Sequence, residues 1–211
     1  MVKFEIPAPL ETTRGQIDKI KGNINIDFDH PEKTTGIIQA DLSSVKVSTF
    51  SDDEKNKTQG EHMVNWFEVG PDVDKEKREQ NRWASFQIKK IVRLSPSTFK
   101  ESVVVQDEIG KAHTFQLTAL GDFTIHGMTK PKTVTLDLTL YEVAPNNKRY
   151  PEAKYVMLIR TQKPFEVSLK EHDIKPRDTT GKFLSSALSV VGLKISDTAL
   201  VSLDLRPFIK K

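Results

Sequence analysis

The chain has 211 residues, of which 36% are hydrophobic, which is enough for one large β domain. Its 32 basic and 29 acidic residues leave a net charge of +3, which gives no electrostatic reason to expect a nucleic-acid partner. The chain has no cysteine, which excludes disulfides, a thiol nucleophile and cysteine metal ligands. No apolar run approaches the roughly 20 residues that a transmembrane helix needs, and no signal-peptide core precedes the first strand pattern.

The first quarter of the chain alternates apolar and polar residues in short runs, as strands with one dry face do. Val2–Ile6 and Ile24–Phe28 both show this alternation. Gly36–Val47 predicts a third strand, although the adjacent Ile37 and Ile38 leave its inward face open.

A short helix is predicted next, over Asp52–Val64, because this polar segment lacks proline and begins with an N-cap pattern followed by acidic residues. Trp66 and Phe67 follow the helix, where they either gate one end of a cavity or plug the end of a barrel. The charged segment Pro71–Arg82 then predicts a surface excursion.

The rest of the chain predicts further strands, and Ser185–Leu193 predicts one or two helical turns. The predicted strands are Trp83–Leu94, Thr98–Ile109, His113–Ile125, Val134–Leu140, Tyr155–Ile159, Phe165–Leu169 and Val201–Leu205. Eight to ten strands without α/β alternation favour a mainly β fold, namely a single closed antiparallel barrel of about eight strands with one short helix near residues 52–64. The chain contains no linker or internal repeat, so residues 1–211 are expected to form one domain.

Candidate catalytic residues are not evident. His62, His113, His126 and His172 lie far apart in the sequence and form no zinc-binding motif, so no metal site is predicted. The chain has no nucleophile elbow, phosphate loop or dinucleotide motif, so no catalytic residue is predicted either.

The most informative segment is Gly121–Leu140, which begins Gly-Asp-Phe-Thr-Ile-His-Gly-Met-Thr-Lys-Pro and continues with alternating Val and Leu. Its pattern predicts an antiparallel hairpin with one dry face, and its residues resemble the hairpin signature of the YceI-like family. Six further segments resemble those of the family in the same order: Ile20–Asp27, Gly36–Val45, Glu61–Met63 with Trp66–Val69, Trp83–Phe86, Phe165–Ile174 and Val201–Leu205. The chain departs from the family at Thr49–Asp52, which lacks the usual Thr-Gly and Arg-Asp pairs, and in the length of the Pro71–Arg82 insertion.

The resemblance implies a lipocalin-like β-barrel that holds a long amphiphilic lipid, such as a polyisoprenoid, an isoprenoid quinone or a fatty acid. It also implies a non-catalytic carrier or sequestering protein that needs no cofactor besides the bound lipid, that is periplasmic or secreted, and that often forms a homodimer. A metal-assisted hydrolase that uses the same cavity and a structural or stress protein with a filled barrel are the alternatives. The residues expected to contact the lipid are Trp66, Phe67, Trp83, Phe86, Ile88, Phe115, Leu117, Phe123, Ile125, Val134, Leu136, Leu138, Phe165 and Val167.

Overall fold

One antiparallel sheet dominates the computed structural model, which describes residues 1–8, 11–27, 29–98, 101–175 and 196–210. Thirteen strands take part in the sheet over these residues. The strands are β1 (Val2–Ile6), β2 (Thr13–Ile17), β3 (Ile20–Asn25), β4 (Thr35–Asp41), β5 (Val45–Val47), β6 (Trp83–Ser95), β7 (Val104–Gln106), β8 (Gly110–Ile125), β9 (Met128–Val143), β10 (Ala153–Thr161), β11 (Phe165–Ser168), β12 (Thr198–Leu205) and β13 (Phe208–Lys210). The prediction of a mainly β, antiparallel fold is confirmed.

The observed sheet differs from the expected closed barrel of about eight strands in two respects, namely its closure and its number of strands. Hydrogen-bonded neighbours follow the order β3-β4-β6-β8-β9-β10-β12-β1-β2-β5, and β7, β11 and β13 pair with β8, β12 and β10. The order ends at β3 and β5 without returning to its start, so the sheet is not closed.

The physical reason is that one long hairpin is interrupted. Its two halves are the pair β3 and β4 and the pair β2 and β5, with Ile20 opposite Ala40 and Ile17 opposite Val45. A 3-10 turn at Leu42–Ser44 separates β4 from β5. Each long strand is therefore divided, and the two halves of the hairpin stand at opposite ends of the strand order.

Asp41 holds the chain at this interruption. Its carboxylate accepts hydrogen bonds from the backbone N–H of Ser43 at 3.1 Å and from the Arg82 Nη2 at 2.9 Å. Burial alone would raise the pKa of the Asp41 carboxyl, but the hydrogen bonds from Arg82 and Ser43 outweigh burial and hold that pKa below its ordinary value. The turn is therefore fixed to the start of β6 by a charged pair.

The two helices lie between β5 and β6. Helix α1 (Asp53–Trp66) confirms the predicted helix and begins as expected, because the Asp52 side chain accepts hydrogen bonds from the first turn. The charged insertion is more ordered than a plain surface excursion, because it contains a second helix, α2 (Lys75–Asn81). No helix among the described residues is long and apolar enough to span a membrane.

Other predicted elements differ in extent. The strand expected over Thr98–Ile109 is reduced to β7, and Gly110 begins β8. Phe28 and the predicted helical turn at Ser185–Leu193 lie outside the described residues.

The core lies on the concave face of the sheet, where alternate side chains of each strand point inward. Even-numbered residues from 134 to 140 in β9 and odd-numbered residues of β8 are buried there; they include Phe115, Ala119, Phe123, Val134, Leu136, Leu138 and Leu140. A smaller outer-face cluster packs against the opposite side of β8, β9 and β10; its buried members are Ala112, Tyr141, Ala153 and Val156.

Candidate functional site

An apolar cavity of about 100 Å³ lies on the concave face and is called the main cavity below. Every side chain that lines it is apolar except that of Ser85. The lining residues are Val2, Phe4, Ile6, Ile17, Ile38, Ala40, Leu42, Met63, Phe67, Ala84, Ser85, Phe86, Ile88, Phe123, Ile125, Val134, Leu136, Phe165, Val167, Leu169, Ala199, Val201 and Leu203. Strands from both halves of the sheet contribute, so the cavity depends on the curvature of the whole sheet.

A second chamber of about 60 Å³ lies beside the main cavity. Ile38, Ile88 and Leu136 line both spaces, so the two are neighbours along one apolar interior. The other lining residues of the second chamber are Ile24, Ile26, Pro31, Thr34, Ile91, Leu94, Leu117, Ala119, Leu138, Met157 and Ile159.

Most of the residues predicted to contact a lipid line one of these two spaces. They are Phe67, Phe86, Ile88, Leu117, Phe123, Ile125, Val134, Leu136, Leu138, Phe165 and Val167. Their role in lipid binding stays a prediction. Trp66 and Phe115 are buried in the hydrophobic core but do not line either space.

Trp83 lines neither space, although the three residues that follow it, Ala84, Ser85 and Phe86, all line the main cavity. The Lys21 Nζ lies 3.7 Å from the centroid of the Trp83 ring, which is a cation–π contact. A role of Trp83 in lipid binding stays a prediction.

Sequence reasoning missed several lining residues. Strand β1 contributes Val2, Phe4 and Ile6, and its clean alternation was a signal that all three share one buried face. The small residues Ala40 and Ala199 gave no such signal, because alanine is compatible with either face of a strand.

Helix α1 covers one end of the main cavity. Met63, on its last turn, is fully buried and lines the cavity together with Phe67, which follows the helix. Trp66 packs in the surrounding core cluster. This end of the cavity is therefore covered by hydrocarbon and thioether groups of a single short helix and its C-terminal residue.

A polar cluster, defined by Glu68, Lys77, Asn81, His126 and His172, lies just beyond this covered end. The Glu68 Oε2 is 2.7 Å from the Lys77 Nζ and 3.1 Å from the His126 Nε2, and Asn81 Nδ2 donates to it at 3.5 Å. Glu68 and His126 adopt left-handed backbone conformations with φ of 53° each. The cluster thus ties helix α2 and the β8–β9 turn to the end of helix α1.

Both ring nitrogens of His126 contact oxygen atoms. Its Nδ1 lies 3.1 Å from the His172 carbonyl oxygen, and its Nε2 lies 3.1 Å from the Glu68 Oε2. The His126 ring therefore connects His172 to Glu68.

His172 connects the polar cluster to the main cavity. Its ring meets the ring of Phe123 edge to face, with centroids 5.7 Å apart, and Phe123 lines the main cavity. The His172 Nδ1 donates to the Ser168 carbonyl oxygen at 2.7 Å, because a carbonyl oxygen only accepts. The His172 Nε2 is buried and has no hydrogen-bond partner among the described residues.

A hydrolytic site would need several titratable side chains close together. Among residues 1–8, 11–27, 29–98, 101–175 and 196–210, no three His, Asp or Glu side chains are arranged to hold a metal ion. A serine–histidine pair is present, since the Ser102 Oγ lies 2.7 Å from the His113 Nδ1.

The fold of this chain is similar to those of several solved structures. A polyisoprenoid binding domain from Saccharophagus degradans, implicated in plant cell wall breakdown, superposes with a TM-score of 0.53 at 15% identity, over 97% of this chain and 91% of that one. BcnA from Burkholderia cenocepacia superposes with a TM-score of 0.51 at 12% identity, over 98% and 96% of the two chains. The YCEI protein of Campylobacter jejuni superposes with a TM-score of 0.50 at 15% identity, over 93% and 85%.

At identities this low, the superpositions show a shared fold alone. No curated protein matches the sequence. The model of the YceI-like domain matches residues 2–206, nearly the whole chain. The resemblance inferred from the hairpin and the six further segments is thereby confirmed, and the chain belongs to the YceI-like family.

Proposed function

We propose that this protein binds an amphiphilic lipid non-catalytically, with the hydrocarbon tail of the lipid inside the main cavity and the second chamber. The observation that carries the proposal is the lining of the main cavity, which is apolar at every side chain but Ser85. A lining of this kind offers a guest no charge and almost no hydrogen bond, so hydrocarbon is the group it favours.

The driving force is the removal of hydrocarbon from water. Each buried CH₂ contributes about 0.8 kcal/mol, so one five-carbon isoprenoid unit contributes roughly 3–4 kcal/mol before the guest is ordered. A few such units are sufficient for micromolar affinity or better, which corresponds to about 8 kcal/mol.

The small volume of the interior limits which lipid tails fit without a change in the walls. The two spaces measure about 100 and 60 Å³, whereas pockets for drug-sized ligands measure about 300–1,000 Å³. A long tail therefore requires the walls to separate. Flexible side chains on the wall, such as Met63 and Leu136, can rotate to allow this.

Unfilled apolar volume also favours a guest. A cavity destabilises a core by about 24 cal/mol per Å³, which gives about 2.4 kcal/mol for the main cavity of 100 Å³. Filling that space with hydrocarbon recovers part of this free energy, which offsets some of the work of widening the interior.

The S. degradans relative is described as a polyisoprenoid binding domain, which supports a polyisoprenoid or isoprenoid quinone as the lipid. The same proposal includes transport or sequestration of that lipid, a periplasmic or secreted location and a homodimer, as the resemblance to the YceI-like family implies.

Uptake of a fluorescent probe tests the proposal. Delipidated protein is titrated with a dansyl-labelled farnesyl probe, and native mass spectrometry gives the number of probes bound per chain. We expect saturable binding with one or two probes per chain. No uptake would contradict the proposal and favour a filled interior, whereas a metal ion in stoichiometric amount with turnover of an ester would favour the hydrolase.

A pair of variants on β8 locates the binding face. Phe123→Asp places a charge on the wall of the main cavity and is expected to abolish uptake. Thr124→Asp is the matched control, because Thr124 points outward and contacts Thr129 across the hairpin at 2.8 Å. Circular dichroism establishes that both variants are folded. Normal uptake by a folded Phe123→Asp protein would show that this face does not contact the lipid.

A further inference from the structure

A cleft of about 570 Å³ opens on the side of the sheet, between β3 and the end of β12. The cleft is lined by Met1, Asp18, Ile20, Lys21, Gly22, Asn23, Ile24, Ile37, Ile38, Met157, Ile159, Leu205, Arg206, Pro207, Phe208 and Ile209. From the observations below, we infer that this side cleft is a lateral portal that binds the hydrocarbon chain of the guest as it enters and leaves. The inference rests on the lipid-binding function proposed above.

The cleft exists because the strand order ends there. Strand β3 pairs with β4, and its other edge has no partner strand within the described part of the chain. Strand β1 continues the sheet beside β2 but begins at Val2, so it does not extend alongside β3. The interrupted hairpin therefore leaves a gap in the wall at the level of the second chamber.

Shared lining residues connect the side cleft to the interior. Ile24, Ile38, Met157 and Ile159 line both the side cleft and the second chamber. Ile38 also lines the main cavity, so it lies where all three spaces meet.

The burial of these residues agrees with an opening in the wall. Ile24 and Ile38 are only half-buried, although both line the interior. Leu136, which lines the same interior on β9, has 6% of its surface exposed. Solvent therefore approaches the inward face at β3 and β4 more closely than it does at β9.

The rim of the side cleft exposes hydrocarbon. Met1, Phe208 and Ile209 line the cleft and are 44%, 53% and 38% exposed. Apolar groups exposed beside an apolar passage provide a first contact for a chain that leaves water or a membrane. Charged side chains of both signs, Asp18, Lys21 and Arg206, also line the cleft, and we expect them to favour a polar head group at the surface while the chain enters.

Because the chain has no cysteine, a single cysteine introduced at the portal can be modified selectively. In Asn23→Cys the new thiol lies on the exposed edge strand at the side cleft, where a bulky methanethiosulfonate reagent attaches by a disulfide. Val92→Cys is the matched control, because Val92 is 51% exposed on β6 and lines none of the three spaces. Association and dissociation of the dansyl-farnesyl probe are followed by stopped-flow fluorescence, before and after the reagent is removed with dithiothreitol.

We expect modification of Asn23→Cys to slow both rates at least tenfold, with little change in Kd, and dithiothreitol to restore them. Modified Val92→Cys is expected to keep the unmodified rates. If probe binds but modified Asn23→Cys exchanges it as fast as the unmodified protein, the portal is refuted while the proposed function stands. If unmodified protein takes up no probe, the proposed function itself fails.

Discussion

Replacing Ala199 by leucine tests whether a guest occupies the main cavity. Ala199 is 6% exposed on β12 and lines that cavity. The substitution adds three carbon atoms, which contribute about 2.4 kcal/mol if they fill existing space, less about 0.5–1 kcal/mol for the ordered side chain. We therefore expect the free energy of unfolding to rise by about 1.5 kcal/mol and Tm to rise by about 3–6 °C.

Affinity is expected to change in the opposite direction. Space taken by the leucine is no longer available to the guest, so about 2.4 kcal/mol of hydrocarbon burial is lost and Kd rises about 50-fold. Thermal unfolding and titration of the dansyl-farnesyl probe measure the two effects on the same sample. A gain in stability together with a loss of affinity is the signature of a binding cavity.

Ala112→Leu is the matched control, because Ala112 is 6% exposed in the outer-face cluster and lines neither the main cavity nor the second chamber. Overpacking is expected to destabilise this variant by about 1–3 kcal/mol without a change in Kd. The reasoning would be refuted if Ala199→Leu raised Tm while Kd stayed the same, because the guest would then lie elsewhere.

Three further substitutions test the surroundings of the cavity. Gly60→Ala in α1 is expected to raise the free energy of unfolding in urea by about 0.5–1 kcal/mol, because alanine favours helix. The new Cβ would lie 4.0 Å from the nearest atom outside the helix, the Val45 carbonyl oxygen, so it has room. Destabilisation would contradict this geometry. His126→Ala removes two hydrogen bonds beside the buried Glu68 carboxylate and is expected to cost about 2 kcal/mol; the exposed His30→Ala, expected to change stability by less than about 0.5 kcal/mol, is its control. Asp41→Asn removes a carboxyl whose pKa lies below its ordinary value. The carboxylate's contribution to the free energy of unfolding is present above the unfolded-state pKa of about 3.9 and is lost as the pH falls through the folded-state pKa. The variant should therefore lose about 2 kcal/mol of stability at pH 7, and its stability should fall less steeply at acid pH than that of the parent protein. An unchanged pH dependence at acid pH would contradict this.

Strand periodicity accounts for much of what the sequence could predict. The alternation of β8 and β9 correctly indicates that Phe123, Ile125, Val134 and Leu136 share one apolar face, since the period of a strand is two. Helix α1 was also predictable, because its N-cap depends on a local signal at Asp52.

Features set by irregular backbone were not predictable. Register shifts in β6 follow Ile88 and Ile91, so its inward residues come three positions apart, at Ile88, Ile91 and Leu94. The interruption at Asp41 depends on Arg82, a partner 41 residues away. The side cleft follows from that interruption, and no local pattern in the sequence encodes it.

The central claim is that an apolar interior selects its guest by hydrocarbon burial, and a series of ligands with one head group and increasing tail length tests this most directly. Calorimetric titration should show affinity that rises about fourfold for each added CH₂, or about 0.8 kcal/mol, until the interior is filled. Affinity that does not depend on tail length would contradict the account, because the head group would then determine binding.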